Sequence, residues 1–267
     1  MLSTDFEAFD SNGIMMNEIM FRRNMSDEAP VFETTTGPVR VITAASLFDG
    51  HDAAINVMRR LIQSSGAEVI HLGHDRSAKD VVDCAVQEDA HAVALTSYQG
   101  GHMEYFTYIR QLLDEAGCEH VRIFGGGGGT ITPPEIRDLH KSGISRIYSP
   151  DDGRKMGLMG MIHDLMGTAS SVDLISEDRL ASLDGSITAD DMAKVGLLLT
   201  LSESASDEDF KAMVEKVRSS DKDVPVIGFT GTGGAGKSSL LDELMLRILR
   251  DNPDKKVCLL CVDPTRK

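Results

Sequence analysis

From Val39 onward the chain repeats one pattern. The short apolar runs "VRVITAA", "AEVIHLG", "HAVALTS", "HVRIFGG" and "ISRIYSP" are each followed by a stretch with helical spacing. An apolar run that does not alternate predicts a strand buried on both faces. Strand–helix alternation predicts parallel pairing, because each parallel return needs a crossover long enough to hold a helix. Five such units predict an α/β fold over residues 36–166, a flavodoxin-like or Rossmann-like domain with a five-stranded parallel sheet. In the first crossover Ile55, Met58, Leu61 and Ile62 fall on one helical face and Arg59, Arg60 and Gln63 on another, and Gly66 stands where a left-handed cap belongs.

The pattern changes on either side. Residues 1–35 show no sustained period and include the polar, methionine-rich "NEIMFRRNMSDEAP"; a short helix or a disordered lead-in is expected, and no function is read from it. Residues 167–223 read as a linker of two or three helices, and their many Ser and Asp residues predict a partly solvated spacer with no site of its own. In 224–267 the alternation resumes with strand "VPVIGFTG", helix "KSSLLDELMLRILRD" and strand "KVCLLCVD". So few elements do not close a doubly wound domain, so this segment is expected to be a truncated part of something longer.

Composition narrows the function classes. Of 267 residues, 41% are hydrophobic and 26% charged, the balance of a folded globular chain. A net charge of −15 repels polyanions, so no nucleic-acid partner is expected, although a local basic pocket can still hold a phosphate. No apolar run approaches the roughly 20 residues that span a bilayer, and the acidic start "MLSTDFEAFD" is unlike a signal peptide. No membrane partner and a cytoplasmic location are therefore expected. Of the four cysteines, Cys84, Cys118, Cys258 and Cys261, the last two spell C-x-x-C. They fall in a run read as a buried strand, where positions three apart face opposite ways, so reduced structural thiols are expected in place of a zinc or redox pair.

Ligands of parallel sheets bind beyond the carboxyl ends of the strands, and three unusual loops fall there. The first holds Asp49, Gly50 and His51; the second Ser97, Tyr98, Gln99, Gly100, Gly101 and His102; the third the run Gly125 to Gly129. Five consecutive glycines would strip side chains from one edge and open a slot for a thin ligand. A single imidazole without Cys or His at zinc spacing suits a metal that brings its other ligands, as in a tetrapyrrole, with Asp49 near enough to orient the ring. The competing reading, a capping or solvated loop histidine, stays open on the motif itself. His102 is the second choice as ligand; His71 and His74 flank the end of the second strand, and His91, His120, His140 and His163 read as surface or packing residues. A receiver-like domain would need an acid where the third strand ends in "LTSYQGG", and none is there.

A second motif is specific. "GTGGAGKS", Gly231 to Ser238, fits G-x-x-x-x-G-K-[ST] between a predicted strand and helix. Gly231, Gly233, Gly234, Ala235, Gly236, Lys237, Ser238 and Ser239 are the expected nucleotide site. Backbone N–H groups cradle phosphates there, Lys237 reaches the β and γ phosphates, and the Ser238 hydroxyl binds Mg²⁺.

The segments "DGHDAA", "HLGHDRS", "TSYQGGH", "FGGGGGTITPPEI" and "RIYSPDDG" resemble the cobalamin-binding domain of adenosylcobalamin-dependent acyl-CoA mutases, most closely the fused isobutyryl-CoA mutase branch. The resemblance covers residues 36–166. It implies that His51 is the lower axial ligand of cobalt, displacing the dimethylbenzimidazole tail. Asp49, Gly50, Ser97, Tyr98, Gln99, Gly100, Gly101, Gly125, Gly126, Gly127 and Gly128 would bind the cofactor around it. Ala54 replaces the last glycine of the D-x-H-x-x-G motif and Ser97-Tyr98-Gln99 replaces S-x-L; both departures leave the metal ligand in place.

"CVDPTR" is similar to an Asp-Pro element of the GTPase chaperones of these mutases, which implies Asp263 near Mg²⁺ or its water. No Walker B strand or N-K-x-D is present, so GTP as the nucleotide rests on the resemblance. The whole then implies an isomerase with GTPase activity that interconverts isobutyryl-CoA and butyryl-CoA by a radical mechanism, GTP serving cofactor loading or protection. Its acyl-CoA substrate would sit in a mutase barrel outside these residues, which hold no catalytic residue and are not expected to isomerise anything by themselves; the intact enzyme is expected to be a homodimer. The alternatives are a non-catalytic cobalamin carrier or sensor, or the small subunit of another acyl-CoA mutase such as methylmalonyl-CoA mutase.

Overall fold

The computed structural model describes residues 32–183, 187–188, 190–217 and 224–261. They divide into two compact units, Met1–Ser219 and Ser220–Lys267. The predicted lead-in lies outside the described residues as far as position 31.

The first unit opens with a small antiparallel hairpin, β1 (Glu33–Thr34) and β2 (Gly37–Pro38). Then follow β3 (Arg40–Ser46), α1 (Asp52–Ser64), β4 (Glu68–Arg76), α2 (Ala78–Gln87), β5 (Ala92–Thr96), α3 (His102–Glu115), β6 (Arg122–Gly126), α4 (Pro133–Lys141), β7 (Arg146–Tyr148) and α5 (Pro150–Ser170). The five strands from β3 to β7 form one parallel sheet in the order β4-β3-β5-β6-β7. Strand order reverses beside β3, which puts the topological switch point between β3 and β5.

The apolar runs become strands because both faces of the sheet are covered. β3 and β5 are buried along their whole length. Ile42, Val93 and Ile123 face Val81, Phe106 and Ile109 of α2 and α3 on one side. Neighbours of opposite parity, Val41, Ala92 and Phe124, meet Ile62, Ile162 and Leu165 of α1 and α5 on the other. In α1 the expected stripe holds, with Ile55, Leu61 and Ile62 buried and Met58 packed beside them, and Gly66 takes φ +93°. Capping boxes Ser77–Asp80, Thr132–Glu135 and Ser149–Asp152 start α2, α4 and α5.

The linker is partly solvated, as expected, but it is also docked on the domain. Its helices are α6 (Glu177–Ala181), α7 (Met192–Ser204) and α8 (Asp207–Val217), and α7 lies hard against the end of α2. A Cβ at Gly196 would stand 2.8 Å from the Val86 carbonyl oxygen, so glycine is what permits the approach. Thr200 Oγ1 donates to Asp89 Oδ2 at 2.7 Å and accepts from Arg40 Nη2 at 2.8 Å, while Arg179 Nη2 donates to Asp89 Oδ1 at 2.5 Å. Asp89, Arg40 and Thr200 are buried, as is His91, whose Nδ1 accepts the Arg40 backbone N–H at 3.0 Å. This network sits at the amino ends of β3 and β5, the sheet edge opposite the three candidate loops.

Among the described residues of the second unit only the predicted helix is regular: α9 (Lys237–Asp251). The runs 224–230 and 255–261 are not strands, contrary to expectation, and Val226 and Leu260 are 92% and 87% exposed. A strand exists by hydrogen bonding to a neighbour, and among the described residues these runs have no ladder. Cys258 and Cys261 are consequently exposed, so the expectation of buried structural thiols fails for them. It holds for Cys118 and the half-buried Cys84, whose thiols burial pushes up to about 11.

Candidate functional site

The loop leaving β3 is built around one buried carboxylate. The Asp49 side chain is 0% exposed, yet it is fully satisfied. Oδ2 accepts the Tyr98 backbone N–H at 2.6 Å, and Oδ1 accepts the His51 backbone N–H at 2.9 Å and ring Nδ1–H at 2.8 Å. Burial would raise its pKa, but the donors from Tyr98 and His51 outweigh it and hold the carboxyl below the usual carboxylate range. Asp49 is therefore an anion. With Nδ1 donating to it, His51 keeps its lone pair on Nε2, on a side chain that is 75% exposed.

The loop after β5 closes over the same carboxylate. Ser97 is buried; its N–H donates to Gly126 O at 2.8 Å, and its hydroxyl accepts from Ser46 Oγ at 2.9 Å. Gln99 ties two loops together, Nε2 donating to Leu47 O and Oε1 accepting from Gly101 N–H, both at 2.9 Å. This tie was not legible in the sequence, where Gln99 stood as a motif departure and a cofactor-binding candidate. His102, the second choice as ligand, is buried, with Nδ1 3.2 Å from Gln99 O and Nε2 3.4 Å from Glu135 Oε2 without hydrogen-bond alignment. It packs the start of α3 and offers no nitrogen outward.

The five glycines do not form one open slot. A Cβ at Gly125 would meet Phe106 at 2.4 Å, and one at Gly127 would meet Ser97 O at 1.9 Å, so these two allow close packing inside the domain. Gly128 has φ +57° and lies against Tyr98, while Gly129 has nothing within 4 Å of its Cβ position. Gly50 and Gly100 are equally free. Within the run only Gly129 leaves open space at its Cβ position, as Gly50 and Gly100 do in the other two loops.

These residues fit a planar metal macrocycle. One anchored imidazole points its free nitrogen outward, the surrounding edge carries little side-chain bulk, and among the described residues no three His, Cys, Asp or Glu side chains converge on a metal position. The metal's remaining ligands would have to come from the cofactor itself. A cleft of about 360 Å³ lies elsewhere, between α2, α3 and Met192, and none of the loop residues lines it.

The glycine-rich loop before α9 has its own geometry. Gly234 and Gly236 take φ +76° and +81°, a region where a side chain would be strained. Gly236 caps α9, which begins at Lys237. Lys237 Nζ donates back to Gly231 O at 2.9 Å and Thr232 O at 3.0 Å, and Ser238 and Ser239 are exposed at the helix N-terminus. Asp263 lies outside the described residues.

Comparison with known proteins matches two families along the chain, and the second match begins inside the first unit. Residues 39–151 match the B12 binding domain family, and residues 195–267 match the methylmalonyl Co-A mutase-associated GTPase MeaB. The chain is 50% identical over 238 residues to a fused isobutyryl-CoA mutase of Geobacillus kaustophilus, covering 86% of this chain and 22% of that protein. It is 51% identical over 234 residues to one of Nocardia farcinica, covering 86% and 21%. It is also 31% identical over 115 residues to the 2-hydroxyisobutanoyl-CoA mutase small subunit of Aquincola tertiaricarbonis, covering 43% of this chain and 82% of that subunit. Fold, site and matches together define a B12-binding α/β domain joined to the start of a MeaB-type GTPase. Over 86% of its length the chain is similar to fused isobutyryl-CoA mutases, and it spans about a fifth of the length of those it matches.

Proposed function

We propose that this chain is the cobalamin-binding and partial GTPase region of an enzyme that interconverts isobutyryl-CoA and butyryl-CoA. The observation that carries the reading is the Asp49–His51 pair, with Nδ1 engaged at 2.8 Å and the ring otherwise exposed. His51 Nε2 would hold cobalt from below. Asp49 fixes the tautomer and raises the basicity of that nitrogen. Ser97, Tyr98, Gln99 and the glycines Gly50, Gly100, Gly101, Gly126 and Gly128 would border the cofactor's nucleotide tail. Bound adenosylcobalamin would supply the organic radical for the rearrangement. None of the chain's own groups is assigned to the acyl-CoA, which would be held by a mutase barrel outside these residues.

In the second unit Lys237 would leave its loop carbonyls for the β and γ phosphates of GTP, and Ser238, with Asp263, would hold Mg²⁺ or its water. Hydrolysis there would govern loading or protection of the cofactor. The proposed division is a lead-in to residue 35, a cobalamin domain over 36–166, a linker over 167–223 and a GTPase segment from 224. Helix α5 crosses the first junction, so domain and linker would move together there. A homodimeric, cytoplasmic enzyme without nucleic-acid or membrane partners is consistent with the net charge of −15, and among the described residues no helix is long and apolar enough to cross a membrane.

Gel filtration of the chain with adenosylcobalamin in dim light tests the reading. Corrinoid eluting with the protein in equal amount is expected, and corrinoid eluting only at its free position contradicts it. For the second unit, binding of a fluorescent GTP analogue should be lost in Lys237→Ala.

A further inference from the structure

Three contacts converge on Tyr98. Its backbone N–H holds Asp49 Oδ2 at 2.6 Å. Its ring centroid lies 5.5 Å from that of His51, with the planes tilted by 46°. The edge of the same ring stands 3.2 Å from the Cβ position of Gly128, in the first turn after β6. The half-buried ring therefore fills the gap between the imidazole and the glycine loop.

Asp49 alone does not fix the imidazole. A single hydrogen bond at Nδ1 sets the tautomer but lets the ring turn about the N–H···O direction, and the His51 side chain is otherwise 75% exposed. A second neighbour on the ring is needed to fix its plane, and Tyr98 is that neighbour. Behind Tyr98 the backbone is closely packed, with Gly128 against the ring and the adjacent Gly127 against Ser97 O.

We infer that Tyr98 is a positioning residue for the cobalt ligand: its amide anchors Asp49 while its ring sets the plane of the His51 imidazole. This rests on the cobalamin reading above. The two roles separate by substitution, since every residue but proline supplies the amide and only an aromatic ring supplies the face. Tyr98→Phe should behave as wild type, and Tyr98→Leu should keep Asp49 in place but release the ring.

The test uses two measurements on the whole chain. In the cofactor-free protein, proton NMR should give nuclear Overhauser contacts between the His51 and Tyr98 rings; their absence overturns the inference with no variant needed. With cob(II)alamin as the probe and the protein labelled with ¹⁵N-histidine, electron paramagnetic resonance distinguishes a histidine ligand from the cofactor's own base by the ¹⁵N superhyperfine splitting. The ligation equilibrium should fall about fivefold in Tyr98→Leu, the size of one aromatic pair contact, and be restored in Tyr98→Phe. An unchanged ligated fraction in Tyr98→Leu overturns the inference. A wild type that binds no cob(II)alamin, or shows no ¹⁵N splitting, overturns the cobalamin reading and leaves the NMR result standing by itself.

Discussion

A Cβ at Gly127 would stand 1.9 Å from the carbonyl oxygen of Ser97, so the loops after β5 and β6 meet backbone to backbone at the floor of the candidate site. Gly127 has φ −164°, an angle any residue adopts, so the demand for glycine is purely steric. Gly127→Ala should lower stability by about 3 kcal/mol, the cost of overpacking against atoms that have little room to move. Gly129→Ala, with open space around its Cβ position, should stay within about 0.5 kcal/mol of wild type. Urea denaturation of both variants separates the two glycines; equal midpoints would contradict the packing described.

Asp49→Asn keeps the shape of the side chain but removes its charge and places an amide where three N–H groups now converge. His51 then loses both its fixed tautomer and the electrostatic support of its ring. Cobalamin affinity should fall roughly 10- to 100-fold, the usual effect of removing the carboxylate behind a metal-binding histidine. Titration followed by corrin absorption checks this, and an affinity within a factor of two or so would mean that the carboxylate does not support the ligand.

The linker's attachment is equally open to test. Arg179→Met leaves Asp89 buried with one donor fewer, and breaking such a pair typically costs about 3–5 kcal/mol. Hydrogen exchange along α7 should rise at the same time, because Thr200 shares the same carboxylate. Unaltered exchange in α7 would show that the helix docks without this network.

What the sequence revealed and what it hid follow from the range of the contacts. The five strand runs of the first unit, the α1 stripe and the Gly66 cap are local patterns, set by residues within a few positions of each other, and they appear where periodicity placed them. Asp49 and His51 were legible for the same reason, standing two positions apart. The Arg40–Thr200 hydrogen bond joins residues 160 positions apart, and nothing in a Ser- and Asp-rich segment announces that one threonine in it is buried against an arginine. The glycine run was half legible: residue type shows that side chains are missing, while only the three-dimensional neighbours show which absences serve packing. The C-x-x-C run has the composition of a buried strand, but composition does not supply the neighbouring strand that burial needs.

Acid should weaken the first unit through two histidines. Burial, and then Arg40, pushes His91 down from 6.5 to about 4; burial, and then Arg179, does the same for His120. Asp89 opposes both shifts, Arg179 also bears on His91, and His91 and Arg110 also bear on His120. His120 Nε2 lies 3.8 Å from Asp89 Oδ1, yet desolvation prevails and the ring stays neutral. Both folded-state values lie below the unfolded one, so between about 6.5 and about 4 the unfolded chain binds more protons. The stabilisation is complete above that window and is lost as pH falls through it. Urea midpoints should decline across this range, and more shallowly in His120→Gln; an identical slope in the variant would remove His120 from the explanation.

The central claim is that His51 presents Nε2 to cobalt, and the absorption spectrum of the chain with adenosylcobalamin, for wild type and His51→Ala, tests it most directly. Wild type should bind the cofactor with its own base displaced and a protein nitrogen in its place, and the variant should lose that spectral form. A spectrum indifferent to His51, or no binding by wild type, would contradict the account.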